Sequence, residues 1–360
     1  MRGIDAVAAC LGDLGGLRLS ANAALRPLNS FGIEARAHWL IEAHEPGALC
    51  TALARIDQEG WPLVLLGGGS NVLILDDLPL VLRPRLQGIA FAAPSAGQRQ
   101  VRVAAGESWH GFVGASLQAG AYGLENLALI PGDCGAAPIQ NIGAYGVELE
   151  QFVVAVEVYD RQRGEQVLLS HAECQFRYRD SVFKHEPDRY VVLALHLGLA
   201  CEPHLKLDYA GIGEELRARG VGTPSAQDVH DAVVAIRRRK LPDPAQIGNA
   251  GSFFKNPIVP RATAEALRAV DPQLPVYPVD ASMAKLAAGY LIESCGWKGH
   301  REGDAGVHAA HALVLVNHGQ ASGRDILALA QRIQDSVATR YGITLEMEAK
   351  ALTSPQSGLG

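Results

Sequence analysis

Two stretches of this chain gather glycine in a way that suits an anion. Val64, Leu65 and Leu66 run directly into Gly67, Gly68, Gly69, Ser70 and Asn71. Residues without a Cβ can take positive φ and let several backbone N–H groups converge on one anion, as a pyrophosphate requires. No Lys-Ser/Thr follows at Walker A spacing, and Val72 stands where the last glycine of a dinucleotide fingerprint belongs, so neither motif applies. The competing reading is a tight turn between strands. Residues 129–146 are small, glycine-rich and carry one charge in eighteen positions. Surface loops are more polar than that. Such a stretch suits backbone pressed against a flat ligand, or else a buried connection between domains.

Other candidates are weaker taken singly. Ser252 follows Gly251 and precedes Phe253 and Phe254. This is not a G-x-S-x-G elbow, but an oriented hydroxyl there could donate a proton. Arg177 and Arg179 alternate, as solvated surface arginines often do. Glu346 and Glu348 share one face of an expected strand, which by itself reads as a polar outer face. Arg237, Arg238, Arg239 and Lys240 end an expected helix, where cations complement the dipole. His308 and His311 form an H-x-x-H pair without a third ligand at metal-site spacing, so no metal is expected.

The elements that must position these groups are mixed helix and strand. Residues 62–66, 72–75, 100–104 and 190–199 read as strands. Residues 152–159 and 166–169 flank a turn at 160–164 and read as a hairpin. Ser225 with Asp228 signals a capping box, followed by Val229, Ala232, Val233 and Ile236 at helical spacing and a stop at Pro242. Ser322 with Asp325 opens a second helix striped by Ile326, Leu329, Ala330, Ile333 and Val337 and ending near Gly342. Residues 343–351 alternate as a strand, with Ile343, Leu345, Met347 and Ala349 on one face. The best linker is Leu241-Pro242-Asp243-Pro244, with a softer boundary near Pro84. Residues 1–24 read as a weakly packed extension and 354–360 as a loose tail.

A length of 360 residues gives room for two or three domains. The composition, 48% hydrophobic and 19% charged, is that of a folded globular chain. A formal charge of −6 disfavours a nucleic-acid binder. No apolar run reaches the roughly 18 residues of a membrane span, and no secretory signal is read, so no membrane partner and a cytoplasmic location are expected. Six cysteines without a C-x-x-C pair are expected to be reduced.

The order of these motifs says more than any one of them. Asn29-Ser30-Phe31-Gly32-Ile33, the triple-glycine turn, the long loop from Ile130 to Gly146, Tyr178-Arg179-Asp180-Ser181-Val182-Phe183-Lys184, Lys240-Leu241-Pro242-Asp243-Pro244, the Gly248-to-Pro257 stretch, Lys285-Leu286-Ala287-Ala288-Gly289 and Leu345-Glu346-Met347-Glu348 occur in sequence. Over residues 20–352 the chain closely resembles the MurB family of UDP-N-acetylenolpyruvoylglucosamine reductases. The resemblance implies an α+β fold: a two-subdomain FAD-binding unit of the vanillyl-alcohol-oxidase (PCMH) type followed by a substrate-binding domain. The corresponding divisions are 1–24 (extension), 25–88 and 89–238 (FAD-binding subdomains 1 and 2), 239–345 (substrate-binding domain) and 346–360 (C-terminal strand and tail).

The resemblance also implies the chemistry. NADPH would pass hydride to FAD and leave, and the enolpyruvyl ether of UDP-N-acetylglucosamine would then be reduced and protonated to UDP-N-acetylmuramate. Arg179, Ser252 and Glu348 match the family's catalytic positions. Arg179 would grip the carboxylate, Ser252 would give the proton with Lys240 or Asn256 polarising it, and Glu348 would share a hydrogen bond with the developing enolate. Gly67, Gly68, Gly69, Ser70, Asn71, Gly132, Gly135, Ala136, Gln140, Asn141, Gly143, Ala144 and Tyr145 match cofactor contacts. Tyr178, Tyr209, Lys240 and Asn256 match substrate contacts, and Tyr209 indicates the family form with an added substrate loop. A monomer is expected. Asp133 and Cys134 depart from the small uncharged residues commoner there; an acid beside a pyrophosphate repels it unless it points away. Ser30 replaces a common Thr, which changes little. A flavin oxidase on the same fold and a flavin-binding module without catalysis are the alternatives; no covalent flavin residue suggests the first, and retention of all three catalytic positions argues against the second.

Overall fold

The computed structural model describes residues 3–209 and 211–354. The expected loose tail lies outside the described residues beyond Ser354. The chain opens with a short helical turn, Val7–Leu11, and then strand β1 (Leu17–Ala24). β1 pairs antiparallel with β2 (Arg36–Ala43), Leu19 facing Ile41. The N-terminal stretch is therefore not a weakly packed extension. Val7 and Leu11 are fully buried and pack with Leu49, Leu53 and Ile56 of helix α1 (Pro46–Glu59). Small residues at 20–24 hide the strand, because they blur the alternation that betrays strands elsewhere.

From α1 the chain enters β3 (Val64–Leu65), passes the triple-glycine turn into β4 (Val72–Ile74) and continues to β5 (Leu78–Pro84). The first sheet has the order β1-β2-β5-β3, with β5 parallel to both β2 and β3. The second sheet is antiparallel. It contains β6 (Ile89–Phe91), β7 (Gln98–Ala104), β8 (Val153–Asp160), β9 (Glu165–Ser170) and β10 (Tyr190–Ala200), in the order β9-β8-β10-β7-β6. β8 and β9 form the expected hairpin, closed at Asp160 opposite Glu165. Helix α2 (Trp109–Gln118) follows β7.

Helix α3 (Ala226–Lys240) starts at the capping box of Ser225 and Asp228 and buries Val229, Ala232, Val233 and Ile236 against the second sheet's core. The last domain holds two small sheets and helix α4 (Gly323–Tyr341), which is capped by Ser322 and Asp325 and stopped by left-handed Gly342. Residues 343–349 keep the expected alternation, with Ile343, Leu345 and Ala349 buried, but they do not form one strand. Met347 bridges Phe254, and only β11 (Lys350–Leu352) is paired, parallel to β4. The segment changes partners because it crosses from the last domain back to the first.

That crossing has a consequence for the division of the chain. Leu25, Phe31, Leu66 and Leu73 share one core with Phe253, Phe254, Leu291, Ile333 and Leu352. The first subdomain and the last domain are thus packed as one body, and the boundaries drawn at 25–88, 239–345 and 346–360 do not separate independent cores. All six cysteines are free thiols.

Candidate active site

The turn after β3 meets the long loop at almost no distance. A Cβ on Gly68 would lie 2.9 Å from Gly132 Cα and 3.2 Å from Asp133 N. Gly69, at φ +64°, leaves no room for a side chain against the Leu28 carbonyl. The long loop is itself laddered to residues 105–109: Trp109 N donates to Gly132 O, Cys134 N to Glu107 O and Gly135 N to Ala105 O. A Cβ on Gly135 would fall 2.7 Å from that of Ala105, which is why glycine is needed there.

The Ser70, Asn71 and Asn141 side chains hold these loops together. Ser70 Oγ donates to Pro131 O at 3.2 Å. Asn71 Nδ2 donates to Gln140 Oε1 at 2.9 Å and to Glu348 O at 3.2 Å. Asn141 is fully buried, donating to Arg177 O and accepting from Glu150 N. What remains is backbone: none of the N–H groups of residues 67–71 donates to another described residue. A row of unsatisfied donors in a cradle that side chains would fill fits the diphosphate of FAD. Gly67, Gly68, Gly132 and Ala136 line that seam, while Gly69 closes on Leu28 and Gly135 on Ala105.

Two of the three expected catalytic residues, Arg179 and Glu348, come together at the end of the long loop, and the segment that carries Ser252 pairs with the one that carries Glu348. Arg179 sits in the left-handed region, φ +54°, with Nε 3.1 Å from Glu348 Oε1. Its Nη2 donates to Gly143 O at 2.5 Å, and its Nη1 leaves no space for a Cβ on Gly143. Burial pushes the Glu348 carboxyl above the ordinary glutamate range, against the pull of Arg179, then Lys255 and Lys184. Glu348 N donates to Phe253 O at 2.8 Å, so Glu348 is paired with the residue that follows Ser252. Phe253 and Phe254 are buried and packed edge-on with each other and with Phe31, which fixes the segment. Gly251, at φ +68° and held by Asn249 Oδ1, turns Ser252 out of that core.

Among the described residues neither Lys240 nor Asn256 is hydrogen-bonded to Ser252. Asn256 Oδ1 accepts from Ala288 N at 2.9 Å, and its side chain is within hydrogen-bonding reach of the Tyr178 hydroxyl. Lys240 is exposed at the end of α3 and acts electrostatically on His311. The Ser252 hydroxyl has no hydrogen-bond partner among the described residues, so its donor is free for a ligand. Tyr178 is covered by Arg179 on one side, and Lys285 Nζ lies 5.0 Å from its ring centroid. Tyr209, half exposed, meets Tyr145 edge-on at 5.3 Å. Ala144 pairs with Val147 in a two-residue hairpin that holds this end of the loop.

Sequence reasoning missed several neighbours. Glu148 stands beside Arg179, its carboxyl raised by burial and lowered by that guanidinium. Lys184 and Lys255 flank Glu346 on the approach to Glu348. Arg237 Nε donates to Leu129 O at 3.2 Å, and His110 Nδ1 accepts from Leu129 N at 3.1 Å. Lys184, Lys255 and Lys285 lie inside the quoted motifs, which was a usable signal; His110 and Glu148 gave none, since their partners are remote or backbone. Leu129, Asn141, Tyr145 and Arg179 all have positive φ, so the site concentrates strain that ordinary loops avoid.

Comparisons with known proteins place the chain in a family. The family of UDP-N-acetylenolpyruvoylglucosamine reductase C-terminal domains matches residues 243–352, and a FAD binding domain family matches residues 37–170. The reductase of Xanthomonas euvesicatoria is 51% identical over 339 residues, covering 94% of this chain and 97% of its own. That of Xylella fastidiosa is 51% identical over 336 residues, covering 93% and 96%. The chain belongs to the UDP-N-acetylenolpyruvoylglucosamine reductase family. The MurB crystal structure from Thermus caldophilus matches with a TM-score of 0.64 at 25% identity, covering 94% of this chain and all of its own. This reductase is accordingly an FAD-dependent oxidoreductase of peptidoglycan precursor synthesis, acting on the enolpyruvyl ether of a UDP-sugar. Among the described residues no helix is long and apolar enough to cross a membrane.

Proposed function

We propose that the reductase takes its electrons from NADPH and completes the reduction with three side chains: Arg179, Glu348 and Ser252. The observation that carries this is the Arg179–Glu348 contact, with Glu348 paired to the residue that follows an unpartnered Ser252. The flavin, when bound, supplies the hydride, which no side chain can. Reducing an enol ether places negative charge next to the substrate carboxylate. Arg179, pre-aimed by the Gly143 carbonyl, holds that carboxylate with parallel hydrogen bonds. Glu348, kept neutral to higher pH by burial, donates to the developing enolate. Ser252 then delivers the proton to carbon. Tyr178 and Asn256 bind the same substrate, Tyr209 closes over its diphosphate and Lys240 contributes charge at the end of α3. In this reading the enzyme works as a monomer in the cytoplasm.

Rapid mixing separates the two halves of the reaction. NADPH should bleach the flavin absorbance and UDP-N-acetylglucosamine-enolpyruvate should restore it. Ser252→Ala should leave bleaching intact and slow recolouring by about 10²–10⁴-fold, the scale of a lost general acid. Equal slowing of both steps would make Ser252 a structural residue.

A further inference from the structure

An acid at position 133 repels a bound diphosphate unless it points away, and the Asp133 side chain is not turned away from the glycine turn. Its carboxyl lies in the seam between the two glycine loops: Oδ1 is 3.2 Å from where a Cβ on Gly68 would be, and Oδ2 3.9 Å from one on Gly67. Oδ2 is buried and has no hydrogen-bond partner. The ladder at Trp109, Cys134 and Gly135 fixes the backbone on both sides, so the side chain cannot be withdrawn by a local shift of the loop.

The surroundings do not neutralise it. Arg85 and Arg83 act on Asp133 only at a distance, without a hydrogen bond, and Arg83 is engaged by Glu42 at 3.3 Å. From residues 105–109, Glu107 adds a further negative group, spent on Gly88 N, and Ser108 bridges Asp133 through backbone. From its own loop comes the buried Cys134 thiol, and from the glycine turn only backbone and the Ser70 hydroxyl, which is given to Pro131. Burial accordingly pushes the Asp133 carboxyl up, and the two arginines pull it back less. A diphosphate arriving at residues 67–71 brings more negative charge to the same seam.

We propose that Asp133 is a cofactor-affinity determinant of this chain: as the neutral acid it donates a hydrogen bond to the flavin diphosphate, and as the carboxylate it repels it. The inference rests on the flavin site described above. An acid that must stay protonated in the complex couples one proton to binding. Flavin affinity then falls as pH rises, by up to about tenfold per pH unit between the acid's ionisation in the free and the loaded protein. His110, whose Nδ1 must stay unprotonated to accept from Leu129, acts in the opposite sense at low pH and cannot mimic this.

The test uses the holoenzyme, diluted into buffers from pH 5.5 to 8.5, with the FAD that passes a size-exclusion filter measured at each pH. Wild type should release more FAD with rising pH. Asp133→Asn keeps a donor that cannot ionise and should flatten that rise, and Asp133→Ser should flatten it too without needing to fit an amide. Release by both variants that follows the wild-type curve, or wild-type release independent of pH, would overturn the proposal.

Discussion

Glu348 is under opposing pressures. Removal from water favours its neutral form, while the Arg179 guanidinium and then the ammonium groups of Lys255 and Lys184 favour its charge. Burial wins, so its folded-state pKa stands above the ordinary value near 4.5. For such a group the stabilising contribution is complete below the unfolded pKa and is lost as pH rises through the folded one. Glu348→Gln removes that loss. Its stability relative to wild type, read from denaturant midpoints, should improve as pH rises from about 4 and level off once the folded-state carboxyl has ionised. The same variant should make the rate of flavin recolouring by substrate less dependent on pH, because an amide remains a donor throughout. A stability difference that stays constant over the range would mean that Glu348 is ionised in the folded protein as freely as in the unfolded chain.

Elements matter here through how closely two of them can approach. The seam between the glycine turn and the long loop leaves no room for a side chain: a Cβ on Gly68 would meet Gly132 Cα, and one on Gly132 the Ser70 hydroxyl. Gly68→Val would drive its Cβ to 2.9 Å from Gly132 Cα, parting the loops by about the width of a methyl group. The purified variant should be colourless or quickly lose its flavin, with far-ultraviolet circular dichroism close to wild type. Normal flavin content would show the turn to be only a turn. Helix α3 serves the same seam from the other side. Its capping box sets where it begins, and so where Arg237, one residue past its buried stripe, meets the Leu129 carbonyl that launches the loop.

At the scale of the whole molecule the decisive fact is the shared core. Phe31 from the first subdomain stacks edge-on with Phe253 of the last, and β11 returns to pair with β4. The site brings Glu348 of this shared body against Arg179 of the second subdomain. Phe254→Ala would empty a fully enclosed ring site in the shared core, costing about 3–5 kcal/mol. Loss of flavin absorbance and loss of secondary structure should then coincide in one denaturation transition at a lower midpoint. Two separated transitions would mean that the last domain is held independently.

By itself the sequence determined what is local or ordered along the chain. Capping boxes at Ser225 and Ser322, the β8–β9 hairpin and the buried stripes of α3 and α4 depend on neighbours three to six residues away, so their residues announce them. The order of the motifs gave the family and named Arg179, Ser252 and Glu348 as candidates. Tertiary structure alone decided the rest. Residues 17–24 form a strand because Ile41 and Ala43 are there to receive it, and residues 343–351 break into a bridge and a short strand because their partners belong to different domains. It also decided that the Asp133 carboxyl lies in the seam and that Asn256 Oδ1 is held by Ala288 N. Each is a contact between segments far apart in the chain, and the side chains that make it carry no mark of a partner that folding has yet to bring.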